Sequence, residues 1–141
     1  MPSVFTRIIA GELPARFVWK DEHCVAFLAA NPLQPGHVLV VPREEVDHWI
    51  DLRGELTAHL VFVAQSIARA LQREFRPEKV GLMIAGLEVR HVHVHLVPIR
   101  GLQDLDFSRA EKSPDPAALD DAARRVRKVL REMRFPQACE A

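Results

Sequence analysis

The sequence predicts an α+β fold: a five-stranded antiparallel sheet with a long helix on one side and a further helix at the C-terminus. Three observations predict it. Short apolar runs bounded by Pro, Gly, Asn and Asp recur as strand-length segments. Residues 17–20 and 24–28 flank a two-residue polar turn, Asp21-Glu22, and so read as a hairpin. Residues 55–75 repeat their apolar side chains every three or four positions, which is the period of a helix.

Taken in order, residues 4–11 carry Val4, Phe5, Ile8 and Ile9 at helical spacing, and Gly11 is a suitable stop. Phe17 and Trp19 alternate with Arg16, Val18 and Lys20 in the first strand, and residues 24–28 form the second. Asn31-Pro32 and Pro35-Gly36 mark a loop. Residues 37–41 are the third strand, closed by Pro42, and a short amphipathic turn or helix follows around 44–50. In the long helix Leu56, Leu60, Val63, Ile67, Leu71 and Phe75 form one stripe, which Arg76-Pro77 ends. His59 falls off that stripe and is expected at a solvated surface. Residues 80–84 are the fourth strand, 86–90 a connection, and the strand beginning at His91 the fifth, ended by Pro98. Residues 101–113 are polar and acidic and read as a surface loop. Asp115 is the expected N-cap, with Pro116 at the first position of a helix over 117–134. Its stripe is Leu119, Ala123, Val126, Leu130 and Met133, with Asp120 and Asp121 early and arginines later, as the helix dipole favours. Its basic face reads as solvated, and contact with a polyphosphate or nucleic acid is the weaker alternative.

A chain of 141 residues fits one domain, with residues 101–141 a loop and amphipathic helix packed on a body formed by 1–100. Lys plus Arg balance Asp plus Glu at 19 each, so bulk charge gives no support to a nucleic-acid or membrane partner. The longest apolar run, 24–30, is too short to span a bilayer, and the first residues lack a secretory pattern. Cys24 and Cys139 make no disulfide framework, and Cys24 is expected as a small buried side chain. A cytoplasmic protein is the expectation.

The stretch that carries chemistry is His91-Val92-His93-Val94-His95-Leu96-Val97-Pro98. Alternation puts Val92, Val94 and Leu96 toward the core and His91, His93 and His95 on the other face of a strand, roughly 6–7 Å apart. A solvated polar face is one reading. A metal site is another, because His-x-His on a strand offers two ligands. Acid–base or nucleophilic catalysis is the favoured one, since neutral imidazole is a base and a nucleophile near neutral pH.

The run His91 to Val97 resembles the signature of the histidine triad (HIT) family, and residues 5–14, 21–28 and 32–42 resemble the family's earlier segments in the same order. The resemblance implies a HIT domain over 1–100. It implies a nucleotidyl hydrolase or transferase acting on a nucleoside phosphoramidate, an adenylylated compound or a dinucleoside polyphosphate, with no cofactor. It makes His93 the nucleophile toward an α-phosphorus, His95 the donor to phosphate and leaving atom, His91 a supporting member, and His37 a further active-site histidine. Phe5, Ile8, Phe27 and Leu28 would line the nucleotide pocket, with backbone donors from Gly86 to Val89. A homodimer joined through the long helix and the fourth strand is implied as well.

Departures from the family pattern sharpen these expectations. Ala29 stands where relatives hold ribose hydroxyls with Asp, and a methyl accepts no hydrogen bond. Leu87 stands at a Gln position and Glu88 where some members have a phosphate-binding Ser or Thr. Some members carry a structural zinc on two Cys and two His. Here Ser3, Thr6 and Glu45 occupy three of those positions and only His91 remains, so no zinc is expected. The alternative to an enzyme is a nucleotide- or metal-binding module with little turnover, in which Arg90 and the basic helix would serve the contact.

Overall fold

The structure is a computed structural model that describes residues 1–139. The chain begins with a short helix, α1 (Val4–Ile9), whose first turn is capped by Ser3 Oγ accepting from the Thr6 amide at 3.0 Å. β1 (Phe17–Lys20) and β2 (Cys24–Leu28) follow. Asp21 closes the hairpin between them, since one carboxylate oxygen accepts from the backbone of His23 and Cys24 at 2.8 and 2.9 Å. Then come β3 (Val38–Pro42), α2 (Gly54–Phe75), β4 (Lys79–Met83), β5 (Val94–Ile99) and α3 (Pro116–Glu132). Every strand pairing is antiparallel, in the order β1-β2-β3-β5-β4.

Period two sorts the strand residues into two cores. Cys24, Ala26 and Leu28 of β2, Val38 and Val40 of β3, and Val94 and Leu96 of β5 face α2 and α3. Val25, Phe27, Leu39 and Val41 face the other way, where Phe5 and the flanking Ile8 and Ile9 of α1 cover them. On the first side the α2 stripe of Leu56, Leu60, Val63, Ile67 and Leu71 is fully buried. Burial of Leu60, Ile67 and Leu71 alone contributes about 5–9 kcal/mol at the usual value per side chain. α2 ends where Arg76 turns left-handed at φ 50° and Pro77 follows, which denies the helix its next amide.

The C-terminal helix is part of the main core. Ala122, Ala123, Val126, Val129 and Leu130 join the same buried cluster as α2 and the sheet. Two arginines of its basic face are engaged with the body. Arg125 pairs with Glu74 at 2.7 Å and lies 4.7 Å over the Phe75 ring, and Arg127 donates to the Phe17 carbonyl at 2.9 Å. Phe75 also meets the loop before β3. Gly36 sits at φ +89°, and a Cβ there would fall 2.7 Å from a Phe75 ring carbon. Only glycine satisfies both conditions.

Two expectations change. His59 is only partly solvated, its side chain 31% exposed: its Nε2 lies 2.8 Å from Asp21 Oδ2, which also accepts from Trp19 Nε1 at 2.8 Å. The fifth strand begins at Val94 rather than His91. The ladder to β3 stops at the Val40–Val94 pair because Pro42, two residues on, has no amide to donate. Val92 donates instead to the Val46 carbonyl at 2.8 Å, so the chain from His91 to His93 runs extended beside the loop after β3. Among the described residues no helix is long and apolar enough to cross a membrane.

Candidate active site

The face that carries the histidines is a row across the sheet. Phe17 pairs with Phe27, Phe27 with Leu39, Leu39 with His95, and His95 with Met83. Directly opposed residues share a face. The imidazole of His95 therefore stands at the end of an aromatic and aliphatic floor, with His93 beside it at 4.8 Å between ring centroids. Phe5 reaches over from α1 and meets His93 edge-on at 4.8 Å and Phe27 at 5.6 Å.

The main chain determines which nitrogen of each ring carries the proton. His93 Nδ1 lies 2.7 Å from the His91 carbonyl, which can only accept. Nδ1 therefore donates, and the neutral ring leaves Nε2 bare as a nucleophile. The Leu33 amide donates to His37 Nδ1 at 3.0 Å, so a neutral His37 holds its proton on Nε2. That nitrogen is 3.0 Å from His95 Nδ1 and donates to it. His95 in turn keeps its proton on Nε2, as a donor. One ring anchored by a backbone carbonyl and one chain anchored by a backbone amide thus leave an acceptor on His93 and a donor on His95, on adjacent rings.

Burial favours the neutral rings. It pushes His37 down to about 3, with His95 and His93 adding to the effect, and His95 down to about 4, with His93 adding. Burial also lowers His93, against an opposing pull from its bond to the His91 carbonyl and from the Glu88 charge. Glu88 thus acts on His93 through its charge, while its side chain is exposed.

His91 has a different task. Its Nε2 donates to the Pro42 carbonyl at 2.8 Å, and its Nδ1 takes the Ser3 hydroxyl at 2.6 Å. Glu45 Oε1 accepts from the Ser3 amide at 2.8 Å and from Thr6 Oγ1 at 2.6 Å. Ser3, Thr6, Glu45 and His91 therefore do come together, tying α1 to the sheet. Their donor set is two hydroxyls, a carboxylate and one imidazole whose ring nitrogens are both engaged, and it does not fit a closed tetrahedral zinc site. The three side chains that could share a cation among the described residues, Asp21, Cys24 and His59, lie elsewhere. There the Asp21 carboxylate already accepts from Trp19, His23, Cys24 and His59.

The other expected residues divide. Phe5, Phe27 and Ala29 are buried on the histidine side, with Ile8 and Val89 packed against them. Leu28 is a correction: it points to the opposite face, into the core under the helices, because it is one residue out of phase with Phe27. Gly86, at φ +81°, lies in the connection between β4 and the histidines. His23 meets His59 edge-on at 5.3 Å between ring centroids, and His48 caps the turn Trp49–Asp51. Sequence reasoning missed Phe107, whose ring centroid is 5.0 Å from that of His95. Its only signal was one aromatic residue in an otherwise polar loop.

Comparison with known proteins places this geometry. The model of the HIT domain matches residues 10–102. Protein hit of Bacillus subtilis is 35% identical over 108 residues, 72% of this chain and 73% of its own. An uncharacterized HIT-like protein of Mycobacterium tuberculosis is 33% identical over 126 residues, 84% of this chain and 88% of its own. Among solved structures, a zinc-bound histidine triad family protein from Mycobacterium smegmatis superposes with a TM-score of 0.79 at 28% identity, covering 93% of this chain and 94% of that one.

Proposed function

The chain belongs to the histidine triad (HIT) family, and from that premise we propose that it is a nucleotidyl hydrolase or transferase with His93 as nucleophile. Membership supports a nucleotide-binding hydrolase or transferase in general. The finer reading is attack on the α-phosphate of a nucleoside phosphoramidate, an adenylylated compound or a dinucleoside polyphosphate. The observation that carries it is the bare Nε2 that the His91 carbonyl imposes on a buried, neutral His93.

In the proposed cycle His93 Nε2 gives its lone pair to phosphorus as the bond to the leaving nitrogen or oxygen breaks. The leaving atom keeps that bonding pair and takes a proton from water. His95 Nε2–H hydrogen-bonds the phosphoryl or leaving atom and remains neutral, since losing its proton would leave an imidazolate. Water then attacks the nucleotidyl-histidine, releases the nucleotide and returns one proton to solvent. Positioned donors around a phosphoryl group supply most of such catalysis. Phe5, Ile8 and Phe27 offer an apolar wall for the base.

Ala29 favours a second reading. With a buried methyl where a carboxylate would grip the ribose, binding of ordinary ribonucleotides weakens and the protein serves as a slow or non-hydrolysing nucleotide binder. One experiment separates the two: adenosine 5′-phosphoramidate is mixed with the protein and AMP release is followed. Release that falls by at least a hundredfold in His93→Ala supports the enzyme, within the range by which positioned groups act. Binding without release supports the binder and refutes turnover. We further propose a homodimer through β4 and α2, where the outer edge of β4 has no strand partner among the described residues and Val61, Phe62 and Leu82 are about half exposed.

A further inference from the structure

Beyond Pro98 the chain returns to the reactive face. A 3₁₀ turn, Phe107–Arg109, is capped by Asp106, whose carboxylate accepts from the Ser108 amide at 2.9 Å and the Ser108 hydroxyl at 2.7 Å. This turn sets the Phe107 ring edge-on to His95 at 63°. Every other Phe or Trp in contact with this face, Phe5, Phe17 and Phe27, is buried, but Phe107 stays 46% exposed. A large apolar ring left half open against a buried histidine has an unfilled side.

The loop that carries it is fixed in place. The Glu111 amide donates to the Pro32 carbonyl at 2.9 Å, and Asn31 Nδ2 donates to the Glu111 carbonyl at 3.0 Å. Gln34 Nε2 reaches Asp104 at 3.2 Å. These bonds clamp residues 104–112 to the turn that delivers His37. Between them lies a groove of about 490 Å³ lined by Asn31, Phe107, Ser108, Ala110, Glu111 and Lys112.

We propose that this groove is the leaving-group pocket and that Phe107 sets its specificity, selecting a leaving amine or alcohol with a flat apolar body. The proposal rests on the nucleotidyl reading of the triad. Aromatic rings stand at the two ends of the histidine row, Phe5 against His93 and Phe107 against His95. In-line displacement sends the leaving atom to the side of phosphorus away from His93 Nε2. The donor His95 Nε2–H then serves that atom, and the group behind it meets Phe107. Charge narrows the class. Lys112 is the single cation of the groove and Glu111 opposes it, whereas a departing polyphosphate brings several negative charges that need paired cations. The step balances as above: His93 N–P forms, P–N breaks, and the amine leaves with its electron pair and one proton from water.

The test uses the full chain and two amide substrates, adenosine 5′-phosphoramidate and its N-benzyl derivative, with diadenosine tetraphosphate as a third compound. The readout is the ratio of the two amides' kcat/KM values, benzyl over unsubstituted. The wild type is expected to favour the benzyl amide, and the ratio to fall about tenfold in Phe107→Ala, the scale of a lost aromatic contact. Phe107→Trp should restore the ratio, and Phe107→Leu, which keeps apolar volume, should give an intermediate one. A ratio unchanged in Phe107→Ala overturns the pocket, because Phe107 then does no more than hold His95. Preference of the wild type for diadenosine tetraphosphate over the benzyl amide overturns the apolar class. Hydrolysis of neither amide overturns the nucleotidyl reading itself, and the pocket with it.

Discussion

Acid should unfold this protein through His37 and His95. Both rings are buried, 2% and 9% exposed, and they titrate near 3 and near 4. In the unfolded chain an imidazole takes its proton near pH 6.5. Between those values the unfolded state binds more protons than the native one, so stability is full above about pH 6.5 and is lost as pH falls toward the native values. From pH 7 to pH 4 each ring acting alone would remove about 3 kcal/mol. The rings share a hydrogen bond at 3.0 Å, so a proton on one raises the cost of a proton on the other. The native state then takes up even fewer protons, so the combined loss should stay near the sum, about 6 kcal/mol, a large part of a typical domain's 5–15 kcal/mol. The perturbation is His37→Gln, which keeps an amide acceptor for Leu33 and a donor for His95 but cannot titrate. Urea unfolding at pH 7, 5.5 and 4 should show the wild type losing about 2–3 kcal/mol more than the variant over that range. Carboxylates titrate in both proteins and cancel in the difference. Parallel pH profiles for the two proteins would refute the reasoning, because His37 would then be protonated as easily in the fold as out of it.

Two further outcomes follow from the contacts around the site. Ser3→Ala removes the 2.6 Å donor to His91 Nδ1 and the cap of α1, and should cost about 1–3 kcal/mol in urea unfolding. The same change should lower kcat more than it raises KM, since the His91 carbonyl aims His93; a variant with wild-type stability and kcat would contradict that role. Phe62→Glu places a charge on the exposed apolar patch of α2 and should convert a dimer into a 16 kDa monomer in sedimentation, and a wild type that already sediments as the monomer would sink the dimer.

The fold was legible because its signals are local. Period-two runs at residues 24–28 and 38–41 and the period-3.6 stripe of α2 each report a face, and the faces assemble one way. The histidines were legible for the same reason: residue types at alternate positions in one run need no distant partner to be noticed. Leu28 was misplaced when the resemblance outweighed the alternation that puts it opposite Phe27. The sequence alone leaves His59 at the surface, because its partner, Asp21, lies 38 positions away and no local pattern announces it. The strand boundary at Val94 moved because Pro42, on another strand, withholds an amide. Phe107 was lost in a polar loop whose path depends on bonds to Asn31, Pro32 and Gln34.

By itself the sequence determined the main strands and helices, the family, and the alternation of three imidazoles along one extended run, since neighbours along the chain encode each of these. Only the tertiary structure decided which nitrogen of His91, His37 and His95 carries the proton. That depends on the Pro42 carbonyl meeting His91 across 49 positions, on His37 meeting His95 across 58, and on a loop bringing the Leu33 amide to His37. A hydrogen-bond donor or acceptor assigns a tautomer only once folding has set it within about 3 Å of the ring, and periodicity along a chain carries no record of that meeting.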